Sequence, residues 1–163
     1  MKATDLLADN LMTTLKVLEG FASPLTPEQL LHRPCDDANC AAWLLGHLVL
    51  TERSFMARIG VDASEMPTLP EGFDKRFARD ETAPKAREYG DTSILLPLFR
   101  QHREPFAQRV RDLPQEALAQ RLEQPHPMFD TVGRAIAFAS THVAVHVGQI
   151  STIRRSLGMP PLI

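Results

Sequence analysis

From Val132 to Leu157, apolar residues recur in steps of three and four, and two histidines fall on the same stripe. It reads Val132, Ile136, Ala139, His142, His146, Ile150, Ile153, Leu157, the period of a helix with one face turned to a core. Thr131 offers an N-cap before it, Gly158 a C-cap after it, and Pro160 a stop beyond. His142 and His146 therefore take core positions one turn apart on one face. Two imidazoles in an apolar seam are costly unless every ring nitrogen has a partner. A divalent cation resolves this, because neutral imidazole is the commonest protein metal ligand and i, i+4 spacing lets two rings converge.

Three further segments carry helical periodicity. The first runs from about Thr4 to Ala22, with Leu7, Leu11, Leu15 and Leu18 on one side. Thr26-Pro27-Glu28-Gln29 then reads as a capping box with Pro at the first helical position, opening a short helix. The next long helix spans about Ala41 to Ile59 and is stopped by Gly60. Another runs from near Thr92 to near Leu113, with the stripe Leu95, Leu98, His102, Phe106, Val110; Pro97 and Pro105 predict a kinked or irregular first half. Nothing alternates with period two for long enough to demand a sheet. Four long helices in a chain of 163 residues describe an all-α, single-domain four-helix bundle over residues 1–163. The long connection from Val61 to Gly90 is a candidate lid.

A third ligand must come from a neighbouring helix, and His47 is the candidate. Its surroundings, Ala41-Ala42-Trp43-Leu44-Leu45-Gly46-His47-Leu48-Val49-Leu50, offer no polar face, which predicts burial. Gly46 predicts close approach of another backbone. His102 also falls on an inward stripe, either as a fourth ligand or supporting group, or as a partly buried side chain beside Arg100 and Arg103. His32 and His126 are expected at the surface. Glu52, five residues after His47, is either an acceptor for an imidazole N–H or a proton, or a surface carboxylate paired with Arg53 or Arg58. Gln149, three residues past His146, either orients a ligand or caps a solvent edge.

Other chemistries are poorly served. His-Val-Ala-Val-His lacks the Glu that a zincin places after its first His. The Glu123-to-His126 spacing lies in a Pro-containing loop, so a carboxylate-rich di-iron bundle is not supported. There is no Gly-rich phosphate loop and no Gly-x-Ser-x-Gly elbow. A net charge of −2 provides no basic field for nucleic acid. No apolar stretch is long enough for a membrane span, and the start lacks a charged-then-apolar leader, so a cytoplasmic location is expected. Cys35 and Cys40 are too few for a disulfide framework and read as free thiols, although their spacing in a polar loop can also serve a metal. Bis-histidine haem ligation is geometrically awkward for an i, i+4 pair.

Trp43-Leu44-Leu45-Gly46-His47-Leu48, followed by Glu52, resembles the second-helix signature of the DinB-like (damage-inducible) superfamily. His142-Val143-Ala144-Val145-His146-Val147-Gly148-Gln149-Ile150, then Arg154-Arg155 and Gly158-Met159-Pro160, resembles its last helix. The similarity covers essentially the whole chain. It implies a four-helix bundle, often a homodimer, with a three-histidine site often holding zinc or nickel; His47, His142 and His146 would be the ligands. Related members include bacillithiol- or mycothiol-dependent transferases, a maleylpyruvate isomerase and metal-dependent hydrolases. The expectation is a metal-dependent enzyme on a small molecule, a thiol-dependent S-transferase ahead of a hydrolase, with a low-molecular-weight thiol as co-substrate. The alternative is a non-catalytic metal-binding stress-response protein.

Overall fold

The computed structural model describes residues 1–79 and 88–162. Helix α1 spans Ala3–Ala22, α2 Pro27–Leu30, α3 Ala41–Arg58, α4 Phe73–Phe77, α5 Leu95–Asp112 and α6 Val132–Ser156. The four long helices predicted from periodicity are all present. The Thr26 capping box forms as read: the Gln29 amide donates to Thr26 Oγ1 at 3.3 Å, and the Thr26 amide to Gln29 Oε1 at 3.0 Å. Gly60 and Gly158 end α3 and α6 with φ of +85° and +75°, a region glycine enters without a Cβ penalty.

The helix α5 is more regular than its prolines suggest. Pro97 sits in the first turn, where an N–H has no intrahelical partner to lose, and a 3₁₀ turn at Thr92–Ile94 precedes the helix. The helix continues through Pro105.

Each of α1 and α3 packs against both α5 and α6, so the order around the bundle is α1, α5, α3, α6. Because α6 touches two helices, its buried face is wider than a single stripe: Ala135, Val143 and Val147 join the predicted positions. His142 and Leu157 fall at its half-buried margin.

Two apolar clusters fill the bundle. One gathers Leu15, Leu18, Leu44, Phe99 and Ile150; the other Leu11, Met56, Phe106, Val110 and Ile136. On each of three helices a polar step separates them: Glu52 on α3, His102 and Arg103 on α5, and His142 on α6. The bundle thus carries a polar layer across its middle that includes His142, with His47 and His146 set among the residues of the first cluster.

A two-stranded antiparallel hairpin, absent from the sequence expectation, precedes α6. Strand β1 (Arg121–His126) pairs with β2 (Phe129–Thr131) in an irregular register. Only Leu122 is buried on β1, so no alternating pattern marks it. The long connection is only partly open to assessment as a lid, because residues 80–87 lie outside the described residues. Its described parts include a 3₁₀ turn at Ala63–Glu65 and α4, whose Phe73 and Phe77 enter the core with Tyr89.

Candidate metal centre

Along α3, every residue from Cys40 to Val49 is buried except His47, which is half-buried. The polar ring therefore emerges from an otherwise apolar run of α3 at a single point, facing α6. Gly46 makes room there, though for a side chain rather than a backbone: a Cβ at this position would collide with the Phe77 ring from α4. His47 stacks flat on Trp43, ring centroids 4.8 Å apart and planes 5° apart, which fixes its orientation.

The helices α3 and α6 run antiparallel, so successive turns pair His47 with His146 and Thr51 with His142. The three imidazoles converge, with one nitrogen from each lying within 4.8 Å of the other two. His47 stands at 65° and 82° to the rings of His142 and His146. His142 Nε2 and His146 Nε2 are 3.1 Å apart.

Tautomers follow from the outer partners. His146 Nδ1–H donates to Gln149 Oε1 at 2.6 Å, which leaves Nε2 as a bare lone pair. Thr51 directs its hydroxyl proton to the carbonyls of His47 and Leu48, both at 3.1 Å, so its lone pairs face His142 Nδ1 at 3.5 Å. With a proton on His142 Nδ1, two lone pairs oppose each other across 3.1 Å, an arrangement a cation between them relieves. Without a cation, the His142 proton can move to Nε2 and donate to His146, at the expense of the Thr51 contact.

Burial keeps all three rings neutral. It pushes His47 down to about 4, helped by His146 and Arg79, and His142 down to about 3, helped by His146, His47 and Arg103. His146 is lowered by burial, with the Gln149 bond opposing. Neutral imidazole is the ligand form, so the donor set fits a divalent ion without prior proton loss near pH 7.

Of the supporting residues weighed in the sequence, Gln149 does contact a histidine. Glu52 does not: it is 2% exposed and pairs with the fully buried Arg103 of α5, through Nε at 2.7 Å and Nη2 at 2.9 Å. Neither Arg53 nor Arg58 is its partner. His102 is also apart from the cluster and fully buried. Its Nδ1–H donates to the Leu98 carbonyl at 2.8 Å and its Nε2 accepts from Arg53 Nη1 at 3.3 Å, so it is a fully rather than partly buried side chain, bonded to an arginine of α3. His126 is exposed, as expected, whereas His32 is half-buried, with its Nε2 2.9 Å from Ser156 Oγ. Cys35 is exposed, Cys40 is buried, and both are free. Thr51, Trp43 and Arg103 were not singled out beforehand. Thr51 had a signal, since it lies one turn after His47.

A sequence profile of the DinB superfamily matches residues 10–150, which include all three histidines and Gln149. The chain belongs to the DinB superfamily. No curated protein matches it. In this DinB-superfamily chain the matched span runs from within α1 nearly to the end of α6, and the histidine cluster it contains is compatible with metal binding. A surface cavity of about 550 Å³ opens elsewhere, between the end of α3 and β1, and no histidine of the cluster lines it. Among the described residues, no helix is long and apolar enough to cross a membrane.

Proposed function

We propose that this DinB-superfamily chain is a metal-dependent enzyme acting on a small molecule, with His47, His142 and His146 holding one divalent ion, zinc or nickel. The observation that carries the reading is the convergence of three neutral imidazoles from two helices. Half-burial of His47 and His142 supports an enzyme over a closed structural site, because it leaves the cluster accessible from solvent on one side. When bound, an ion with three neutral ligands keeps its full charge and an open position, where it favours the deprotonated form of a water or thiol.

The chain's own residues prepare that position. Gln149 holds the His146 proton on Nδ1, and Thr51 is placed to do the same for His142. Trp43 holds the plane of His47. The positive charges of Arg79 and Arg103 oppose protonation of His47 and His142. Among the described residues no carboxylate joins the cluster to neutralise the ion, which favours an anionic donor such as a thiolate at the open position. We therefore place thiol-dependent S-transfer ahead of hydrolysis, with a low-molecular-weight thiol as co-substrate.

Cobalt-substituted protein tests this directly. Addition of a low-molecular-weight thiol at millimolar concentration should produce a sulfur-to-metal charge-transfer band. A cobalt spectrum that ignores thiol removes the transferase reading and leaves hydrolysis or non-catalytic binding.

A further inference from the structure

The seam between α3 and α6 continues past the histidines. One turn beyond the Thr51–His142 level, Phe55 of α3 meets Phe138 of α6, ring centroids 6.3 Å apart. Phe138 lies four residues before His142 on the same face, 6.2 Å from its ring and inclined by 27°. Phe129 of β2 packs on both phenylalanines, at 5.7 Å and 5.2 Å. His126 of β1 then stacks on Phe129 at 4.7 Å and 17°. The hairpin that the sequence did not reveal thus ends an aromatic run that begins at a histidine of the cluster.

Exposure distinguishes the members of this run. Phe55 and Phe129 are buried and form its floor. Phe138 is half-buried and His126 exposed. Arg58 lies over the Phe129 ring at 5.5 Å and donates to the Gln124 carbonyl at 2.6 Å, so this charge is already engaged. His126 Nδ1 accepts from the Met128 amide at 3.2 Å, which places its own proton on Nε2.

We infer that this run is a substrate subsite for a planar aromatic group whose metal-binding donor is attached directly to the ring. The inference rests on the metal reading above and adds the substrate's chemical class. Phe138 and His142 are adjacent half-buried rings, so a ring resting on Phe138 brings an attached donor within one ring's distance of the histidine cluster. Tilted aromatic neighbours offer edges and faces that a further planar ring can meet, whereas a puckered aliphatic ring gains contact area alone. His126 Nε2–H supplies a donor for a polar group at the far end.

Benzohydroxamate and cyclohexanecarbohydroxamate separate these contributions, since both present the same chelating group on a six-membered ring. Each is titrated into the cobalt-substituted full chain, following the visible cobalt bands. Wild type should bind the aromatic ligand roughly two- to tenfold more tightly, the ratio that one aromatic pair supplies. Phe138→Leu, which keeps an apolar side chain and removes no proposed metal ligand, should bring the ratio close to one while cobalt is still taken up. A wild-type ratio near one, a ratio undiminished by Phe138→Leu, or cobalt that binds neither hydroxamate overturns the subsite. Failure to take up cobalt at all refutes the metal reading beneath it, a different and separately visible result.

Discussion

Arg103→Met is the substitution whose consequences the structure defines most fully. Arg103 and Glu52 are 0% and 2% exposed and joined by two contacts, at 2.7 Å and 2.9 Å. Breaking a buried pair from one side costs about 3–5 kcal/mol, because the remaining charge or polar group has no partner. At about 2–4 °C per kcal/mol for a domain of this size, the melting temperature of metal-free protein should fall by roughly 6–20 °C. Burial already raises the Glu52 carboxyl to about 7, with Arg103 pulling it down. Removing Arg103 removes that pull, and the carboxyl then keeps its proton to higher pH. A raised carboxyl favours the folded state at low pH and loses that contribution as pH rises through the folded value. The deficit of Arg103→Met relative to wild type should therefore be small at about pH 5 and grow toward about pH 8. Glu52→Gln should show no such relief, since the stranded guanidinium stays charged throughout. The double variant Glu52→Leu/Arg103→Met should recover most of the loss, because an apolar pair replaces both groups. Circular-dichroism melts of wild type, Arg103→Met, Glu52→Leu and the double variant form a double-mutant cycle, with Glu52→Gln as the titration control. At about pH 8, single variants within about 1 kcal/mol of wild type, or a double variant as poor as the two losses summed, would refute the reasoning.

Other consequences follow from the cluster and its surroundings. Gln149→Ala should weaken zinc binding roughly ten- to a hundredfold in competition with a chromophoric chelator, because the His146 tautomer loses its anchor; unchanged affinity would remove Gln149 from that role. Metal-free protein should lose stability as pH falls below 6.5. The unfolded chain takes up these protons near 6.5, whereas folded His47 and His142 resist them down to about 4 and about 3. Urea titrations from about pH 4 to 7 should show this slope in wild type and a flatter one in His142→Leu/His146→Leu. Gly46→Ala should destabilise by about 1–3 kcal/mol in urea denaturation, since the new methyl and the Phe77 ring claim the same space.

What could be read from the sequence followed from periodicity. His142 and His146 interrupt an apolar stripe, and His47 interrupts an apolar run, so burial and convergence were both implied before any distance was known. Glu52 was different. Its partner lies 51 residues away on a helix of separate periodicity, and nothing local distinguishes a buried arginine from a solvated one. His102 was correctly placed facing inward, but its partner Arg53 comes from α3 and could not be read from its own helix. The β1–β2 hairpin was missed because β1 has a single buried residue, and packing of Phe129 on Phe55 and Phe138 accompanies its pairing. Gly46 signalled close approach without specifying that Phe77 arrives as a side chain.

Melting the protein before and after complete chelation distinguishes a metal site at the histidine cluster from a hydrogen-bonded core. Metal that binds only the folded state adds about 2.7 kcal/mol at a hundredfold excess over Kd, on the order of 5–10 °C here. Wild type should melt lower by that amount once elemental analysis shows the metal gone, and return when zinc or nickel is restored. His142→Leu/His146→Leu should be indifferent to chelator and at least as stable as metal-free wild type, since leucines avoid burying imidazoles. A wild-type curve unmoved by verified metal removal, with the double leucine variant destabilised, would contradict the metal site and leave His142 and His146 as a hydrogen-bonded pair packed on His47.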